Sequence, residues 1–190
     1  YAARTIPEEY GGFGAQPDII KSRIISEEFS NAQISTGLGG QGISMLTPVL
    51  LEMGTEEQKQ QFIKPTIHGE MIWCQGYSEP SAGSDLASLT TKAELDGDEW
   101  VINGHKWFTS GARGADFAIV IAKTDPDAEI AQARNSAFIV PTNTPGFEIV
   151  RDVQTMGGGG GHPELRYNDV RVPQENMLGE QGGGHKLGQV

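Results

Sequence analysis

The chain has 190 residues and a formal net charge of −11, with 25 acidic against 14 basic side chains. That length allows one domain with a real core or two small ones. The charge is −4 up to Trp73 and −7 beyond it, so neither part carries the basic field that nucleic-acid backbone binding requires. Cys74 is the only cysteine, which excludes an intrachain disulfide; after an apolar run it reads as a small buried hydrophobe.

The first 70 residues read as helical. Ile20, Ile24, Ile25 and Phe29 recur at helical spacing after Pro17-Asp18, a helix start. Met45, Leu46, Val49, Leu50 and Met53 form a second stripe, with Pro48 fitting the first turn or a kink and Gly54 as the stop. Thr55-Glu56-Glu57-Gln58 is a capping box, and the helix it opens is predicted to fade near Lys64-Pro65.

From Met71 the pattern changes to short β-rich runs between turns. Residues 90–95 lead to Asp96-Gly97, and 100–102 lead to Asn103-Gly104, which predicts two hairpins and a third strand over 105–109. Further strands are predicted over 117–122, 137–140, 147–150 and 164–167, a spacing that implies a small barrel or sandwich. The glycine tract 157–161 reads as a loop rather than a nucleotide cradle, since no helix start follows it. Gly182-Gly183-Gly184 reads as a linker into a further segment. No apolar run approaches the ~20 residues of a membrane span. Both termini read as internal to a longer chain.

The chemistry concentrates in Gln75-Gly76-Tyr77-Ser78-Glu79-Pro80-Ser81-Ala82-Gly83-Ser84-Asp85. Small residues at a strand end bring bare N–H groups and hydroxyls close to a polar ligand, and Gly83 removes a Cβ from that approach. Glu79 and Asp85 invite an acid/base reading, but nothing fixes their separation across a bond; both read instead as loop anchors that accept backbone N–H bonds. Trp107-Phe108-Thr109-Ser110-Gly111 ends a strand with aromatics, hydroxyls and a glycine, a combination able to flank a flat ring. Periodicity alone reads Trp107 as core. His68, His105, His162 and His185 lack metal-ligand spacing, so no metal site is expected. Ser84 is not set in a nucleophile elbow, and no Gly-x-Gly-x-x-Gly follows a strand.

These segments together resemble the acyl-CoA dehydrogenase family. The resemblance rests on Gly76 to Asp85, on Ile102-Asn103-Gly104-His105-Lys106-Trp107-Phe108-Thr109, on Gly54 to Lys59, on the lead-in Pro7-Glu8-Glu9-Tyr10-Gly11-Gly12, and on Asp169-Val170-Arg171-Val172-Pro173-Gln174-Glu175-Asn176. It implies an α+β chain: the end of an N-terminal helical domain over 1–72, a mainly antiparallel β-barrel domain over 73–178, and the start of a C-terminal helical bundle over 179–190. It implies FAD as cofactor. Gln75, Gly76, Tyr77, Ser78, Glu79, Pro80, Ser81, Ala82, Gly83 and Ser84 would line the flavin and its pyrophosphate, with Ser78 at the pyrimidine side. Trp107 and Phe108 would pack at the ring, Thr109 would donate near N5, and Ser84 would sit where the acyl-CoA chain passes. The implied reaction is α,β-dehydrogenation of an acyl-CoA thioester to the trans-2-enoyl-CoA, with an electron-transferring flavoprotein as acceptor. The catalytic base lies in the family's C-terminal bundle, so no residue of this chain is assigned that role, and the chain by itself is expected to be inactive. The resemblance further implies a homodimer or homotetramer, neither nucleic-acid nor membrane partners, and a bacterial cytoplasmic or mitochondrial matrix setting. An acyl-CoA oxidase and a nucleic-acid-associated member share the same scaffold.

Overall fold

A computed structural model describes residues 3–157 and 160–189. Helix α1 spans Ile19–Asn31, its first turn capped by Asp18, whose carboxylate accepts from Lys21 N–H at 2.9 Å. One wide turn over Gly42–Leu46 closes with Thr47 N–H donating to the Gly42 carbonyl, five residues back. It runs into α2, Thr47–Met53, with Pro48 in the first turn, where a missing N–H costs nothing. The capping box opens α3, Glu56–Ile67: Gln58 N–H donates to Thr55 Oγ1 at 3.2 Å, and Thr55 N–H donates back to Gln58 Oε1 at 3.1 Å. The same Gln58 amide donates to the carbonyls of Glu175 and Met177, both at 2.8 Å, which pins the helix start to the far end of the sheet. The expected fade at Lys64-Pro65 does not occur. Pro65 sits in the last turn, and burial of Ile63, Thr66 and Ile67 holds that turn in place.

Eight strands follow: β1 Trp73–Gly76, β2 Lys92–Asp96, β3 Glu99–Lys106, β4 Phe117–Lys123, β5 Asn135–Pro141, β6 Phe147–Asp152, β7 Pro163–Pro173 and β8 Met177–Leu178. They form one mainly antiparallel sheet in the order β6-β7-β3-β2-β4-β5-β8, with β1 parallel to β4. Two antiparallel groups meet where Lys92 of β2 pairs with Lys123 of β4. The sheet is open. Among the described residues β6 pairs only with β7, β8, two residues long, only with β5, and β1 only with β4, so the expected barrel does not close.

The second predicted hairpin is also absent. Asn103-Gly104 lies inside β3, at an irregularity in its pairing with β7. Tertiary contacts override the turn chemistry there. A Cβ on Gly104 would stand 2.2 Å from Thr91 Oγ1, so close approach explains the glycine. Asn103 is held by a reciprocal pair: its Nδ2 donates to Asp169 Oδ1, and Asp169 N–H donates to its Oδ1, both at 2.9 Å.

β4 is a continuous apolar run because both of its faces are buried. Ile119 and Ile121 face a core shared with Leu46, Leu50, Ile63 and Trp73, which joins the helices to the sheet. Ala118, Val120 and Ala122 face a second core with Trp100, Ile102, Phe138, Leu165 and Tyr167. Trp73 stacks on Phe117 with centroids 4.8 Å apart, and Phe62 meets both rings edge-on. Cys74 is fully buried, and burial pushes its thiol up to about 12. Gly182 to Gly184 is packed rather than a free linker: Gly182 N–H donates to Ser136 Oγ at 2.9 Å, and a Cβ on Gly184 would meet the Asn135 carbonyl at 2.9 Å. The short helix α4, Gly184–Leu187, starts there.

Candidate functional site

Two segments meet at the ends of β1 and β3. β1 ends at Gly76, where a Cβ would come within 3.0 Å of the Tyr167 hydroxyl. The chain then leaves the sheet through Tyr77 and Ser78 and folds into a tight reversal. Glu79 N–H donates to the Ala82 carbonyl at 2.7 Å, and Ala82 N–H donates back at 3.2 Å. The end of β3 is tied to this loop by Trp107 N–H, which donates to the Ser78 carbonyl at 2.8 Å. The two motifs singled out in the sequence are therefore neighbours.

A buried ion pair sits beneath them. Lys106 Nζ lies 2.9 Å from Glu79 Oε1, with both side chains essentially inaccessible, and donates a second bond to the Tyr77 carbonyl at 3.0 Å. Glu79 also accepts from Thr90 N–H and Thr90 Oγ1, both at 2.7 Å, and from Thr91 N–H at 2.9 Å. Burial pushes the Glu79 carboxyl up, but the Lys106 ammonium and the hydrogen bonds from the 90–91 segment outweigh it and hold the pKa at about 2. Burial pulls the Lys106 ammonium down to about 8, with Glu79 only partly opposing. Both groups are charged at neutral pH. With its oxygens committed to these partners, Glu79 works as an anchor, as the sequence suggested. Asp85 differs: its side chain is exposed and accepts no hydrogen bond among the described residues, and only its backbone carbonyl is used, by Ser88.

The outer surface of the loop is polar and open. Pro80, Ser81, Gly83 and Ser84 are exposed, Gln75, Tyr77 and Ser78 are half-buried, and Ala82 is buried. A Cβ built on Gly83 meets nothing within 4 Å, so the space outside it is free for a ligand. Burial pushes the Tyr77 phenol up to about 12, which keeps it a neutral hydroxyl. Tyr77 also borders a hollow of about 180 Å³ lined with Ser44, Met45, Val49 and Leu187.

At the end of β3, Thr109 is fully buried, and its hydroxyl has no hydrogen-bond partner among the described residues, so it is uncommitted toward a ligand. Phe108 is half exposed, with φ of 57° at its backbone, and Trp107 and Ser110 are partly exposed. The left-handed backbone at Phe108 interrupts the strand alternation there. Trp107 is already engaged. The Arg151 guanidinium lies 5.4 Å from its ring centroid, and the His105 ring meets it edge-on at 5.7 Å. Glu164 joins those two neighbours, accepting from Arg151 Nε at 2.7 Å and lying 2.8 Å from His105 Nε2. Burial raises the Glu164 carboxyl, but Arg151 and His105 together bring it below the ordinary range. The Lys106–Glu79 pair was not read from the sequence, because a lysine at a strand end ordinarily faces solvent and its burial depends on a partner 27 residues away.

No group of three or more metal-ligating side chains exists among the described residues, and no helix among them is long and apolar enough to cross a membrane.

The chain matches the model of the acyl-CoA dehydrogenase N-terminal domain over residues 1–70 and that of the acyl-CoA dehydrogenase middle domain over 74–170. It is 37% identical over 182 residues to acyl-CoA dehydrogenase IpdE1 of Mycobacterium tuberculosis, covering 95% of this chain and 46% of that protein. It is 36% identical over 187 residues to the human mitochondrial short-chain specific acyl-CoA dehydrogenase, covering 97% and 44%. Among solved structures it resembles the Tcur3481-Tcur3483 steroid ACAD, with a TM-score of 0.87 and 39% identity over 100% of this chain and 47% of that one. It also resembles an acyl-CoA dehydrogenase from Geobacillus kaustophilus, with a TM-score of 0.83 and 36% identity over 98% and 49%. The chain spans about half the length of the curated relatives it matches. Matched by the family's models across both its helical part and its sheet, the chain belongs to the acyl-CoA dehydrogenase family.

Proposed function

We propose that this chain supplies the flavin-binding part of an FAD-dependent acyl-CoA dehydrogenase. The observation that carries the reading is the joined wall: the loop from Gln75 to Ser84 bonded to the end of β3 through Trp107 and Ser78, and anchored beneath by Glu79 and Lys106. The residues present fit the group. The open space outside Gly83, the exposed hydroxyls of Ser81 and Ser84, and the accessible Phe108 and Ser110 offer donors and an apolar face to a large planar polar ligand. Bound FAD would supply the two-electron sink for oxidation of the Cα–Cβ bond of an acyl-CoA thioester.

The chain's own residues bind and orient. Ser78 and the Gly83-Ser84 backbone would hold the cofactor's polar edge and pyrophosphate, and Ser84 would border the passing acyl-CoA. The α-proton goes to a base outside these 190 residues; Glu79 is excluded because its oxygens are committed to Lys106, Thr90 and Thr91. An electron-transferring flavoprotein would accept the electrons, and the longer protein would assemble as a dimer or tetramer.

The test is formation of 2-enoyl-CoA. The longer protein that contains this chain is expected to bind FAD and to reduce an artificial acceptor with an acyl-CoA, whereas the 190-residue chain alone is expected not to turn over acyl-CoA. Absence of FAD binding by the longer protein would overturn the reading. The similar proteins include both a steroid ACAD and a short-chain specific acyl-CoA dehydrogenase. Assaying a steroid-type CoA thioester beside butanoyl-CoA would show whether a bulky acyl group is preferred.

A further inference from the structure

Three neighbouring strands, β6, β7 and β3, bring Arg151, Glu164 and His105 together at the ring of Trp107. Lys106 of β3 pairs with Leu165 of β7, one position short of Trp107 and Glu164. Arg151 reaches the same place through an irregularity in β6. Ile149 pairs with Leu165 and Arg151 pairs with Glu164, so two steps along β6 match one along β7. Val150 is the extra residue. A bulge of this kind redirects the side chain that follows it. Regular pairing would set Val150 opposite Glu164 and leave Arg151 one position farther on.

Glu164 holds the other two side chains. Its own side chain is 7% exposed, against 58% for Arg151. Its Oε2 accepts from Arg151 Nε at 2.7 Å, and its Oε1 lies 2.8 Å from His105 Nε2. With a pKa below the ordinary carboxylate range, it is ionised at neutral pH and can only accept. The hydrogen of the second bond therefore sits on His105 Nε2. Both carboxylate oxygens are committed to neighbours of one indole: the guanidinium 5.4 Å from its centroid and the imidazole edge-on at 5.7 Å. The main chain of Trp107 is fixed independently, by its N–H bond to the Ser78 carbonyl at 2.8 Å. A side chain ordered in advance loses less freedom when a ligand settles on it.

We propose that Glu164 is a positioning residue that holds Arg151 and His105 against Trp107 and so fixes the indole as a preformed wall for the flavin. The inference rests on the flavin reading above. Trp107 is the group that touches the cofactor, and Glu164 acts through it.

The experiment uses the longer protein and reads the dissociation constant for FAD and the fluorescence of the bound flavin, which contact with an indole quenches. Wild type is compared with Glu164→Gln, Arg151→Met and Arg151→Lys, and Glu164→Gln is repeated in a Trp107→Phe background. The amide of Glu164→Gln keeps one acceptor but turns a donor toward the other cation. Its FAD dissociation constant is expected to rise about three- to tenfold, the cost of ordering one side chain on binding. Its bound-flavin fluorescence is expected to rise, because a loosened ring quenches less. Arg151→Met is expected to move both readings in the same direction by less, and Arg151→Lys, which keeps the cation without the planar fork, to fall between it and wild type. In the Trp107→Phe background Glu164→Gln is expected to add no further change in either reading. A Glu164→Gln effect on FAD binding that persists undiminished in that background shows a merely structural role and overturns the proposal, as do unmoved readings in Glu164→Gln alone. If Glu164→Gln does not fold, Arg151→Met, at an exposed position, carries the test, with a rise in both readings expected and no rise overturning the proposal. Wild-type protein that fails to bind FAD sinks the flavin reading and this inference with it. Wild-type protein that binds FAD normally, with variants that match it, sinks this inference alone.

Discussion

The loop from Gly76 to Asp85 and helix α1 make an instructive pair. The loop is almost without regular structure, yet it is fixed at several points: the backbone of Tyr77 by Lys106, of Ser78 by Trp107 and of Glu79 by Ala82, and the Glu79 carboxylate by Lys106 and the Thr90-Thr91 segment. Helix α1 has thirteen residues in regular conformation and a good cap, yet none of its residues is buried; Ile19 and Ile20 are 88% and 73% exposed. Regular hydrogen bonding within an element says little about how firmly the element is attached. Attachment comes from side chains and backbone groups that reach into the core, and here the irregular segment has more of them.

The largest effect should come from the buried ion pair. Lys106→Met leaves the Glu79 carboxylate enclosed without its counter-charge, and is expected to cost about 3–5 kcal/mol in chemical denaturation. Adding Glu79→Gln should recover much of that loss, because the cost is that of an uncompensated charge. A double variant as unstable as Lys106→Met would show that the loop is held by other means.

Gly104→Ala tests the same anchor from the side. Its new Cβ would collide with Thr91, whose N–H binds Glu79, so a loss of about 1–3 kcal/mol is expected from overpacking. Unchanged stability would mean that β3 and the 90–91 segment can separate without consequence.

Acid should loosen the loop before neutral or mildly acidic conditions do. The Glu79 carboxyl is depressed in the fold to about 2 from the ordinary carboxylate value near 4.5. Its contribution is complete above about pH 4.5 and is lost as the pH falls toward 2. Unfolding midpoints measured across that window should drop more in wild type than in Glu79→Gln; parallel curves would contradict the assignment.

The smallest effects should lie on α1. Asp18→Ala removes the cap bond to Lys21 and is expected to cost about 1 kcal/mol or less. Ile20→Glu, at an exposed position, should change the stability of this chain by only about 0.5 kcal/mol. A loss comparable to that of Lys106→Met would show that the face of α1 is covered in solution.

Much was legible in the sequence because local chemistry decides it. Asp18, Thr55 and Gln58 cap helices within four residues of themselves, and Pro48 and Gly54 act on the adjacent turn. The apolar run of β4 predicts a strand whatever covers it. The ordered motifs from Pro7 to Asn176 carried the family resemblance, and Glu79 was recognisable as an anchor rather than an acid. What failed depended on distant partners. Asn103-Gly104 has the chemistry of a hairpin, but Thr91 and Asp169 impose close approach and straight pairing on it. Lys106 reads as a solvent-facing charge, but Glu79 and the Tyr77 carbonyl bring it wholly into the interior. The sequence by itself determined where the capped helices begin and which segments are strands, since these follow from caps, periodicity and side-chain size over a few residues. Tertiary structure alone decided the open sheet, the meeting of Arg151 and His105 at Trp107 and the exposure of α1, since each depends on groups brought together from far apart in the chain.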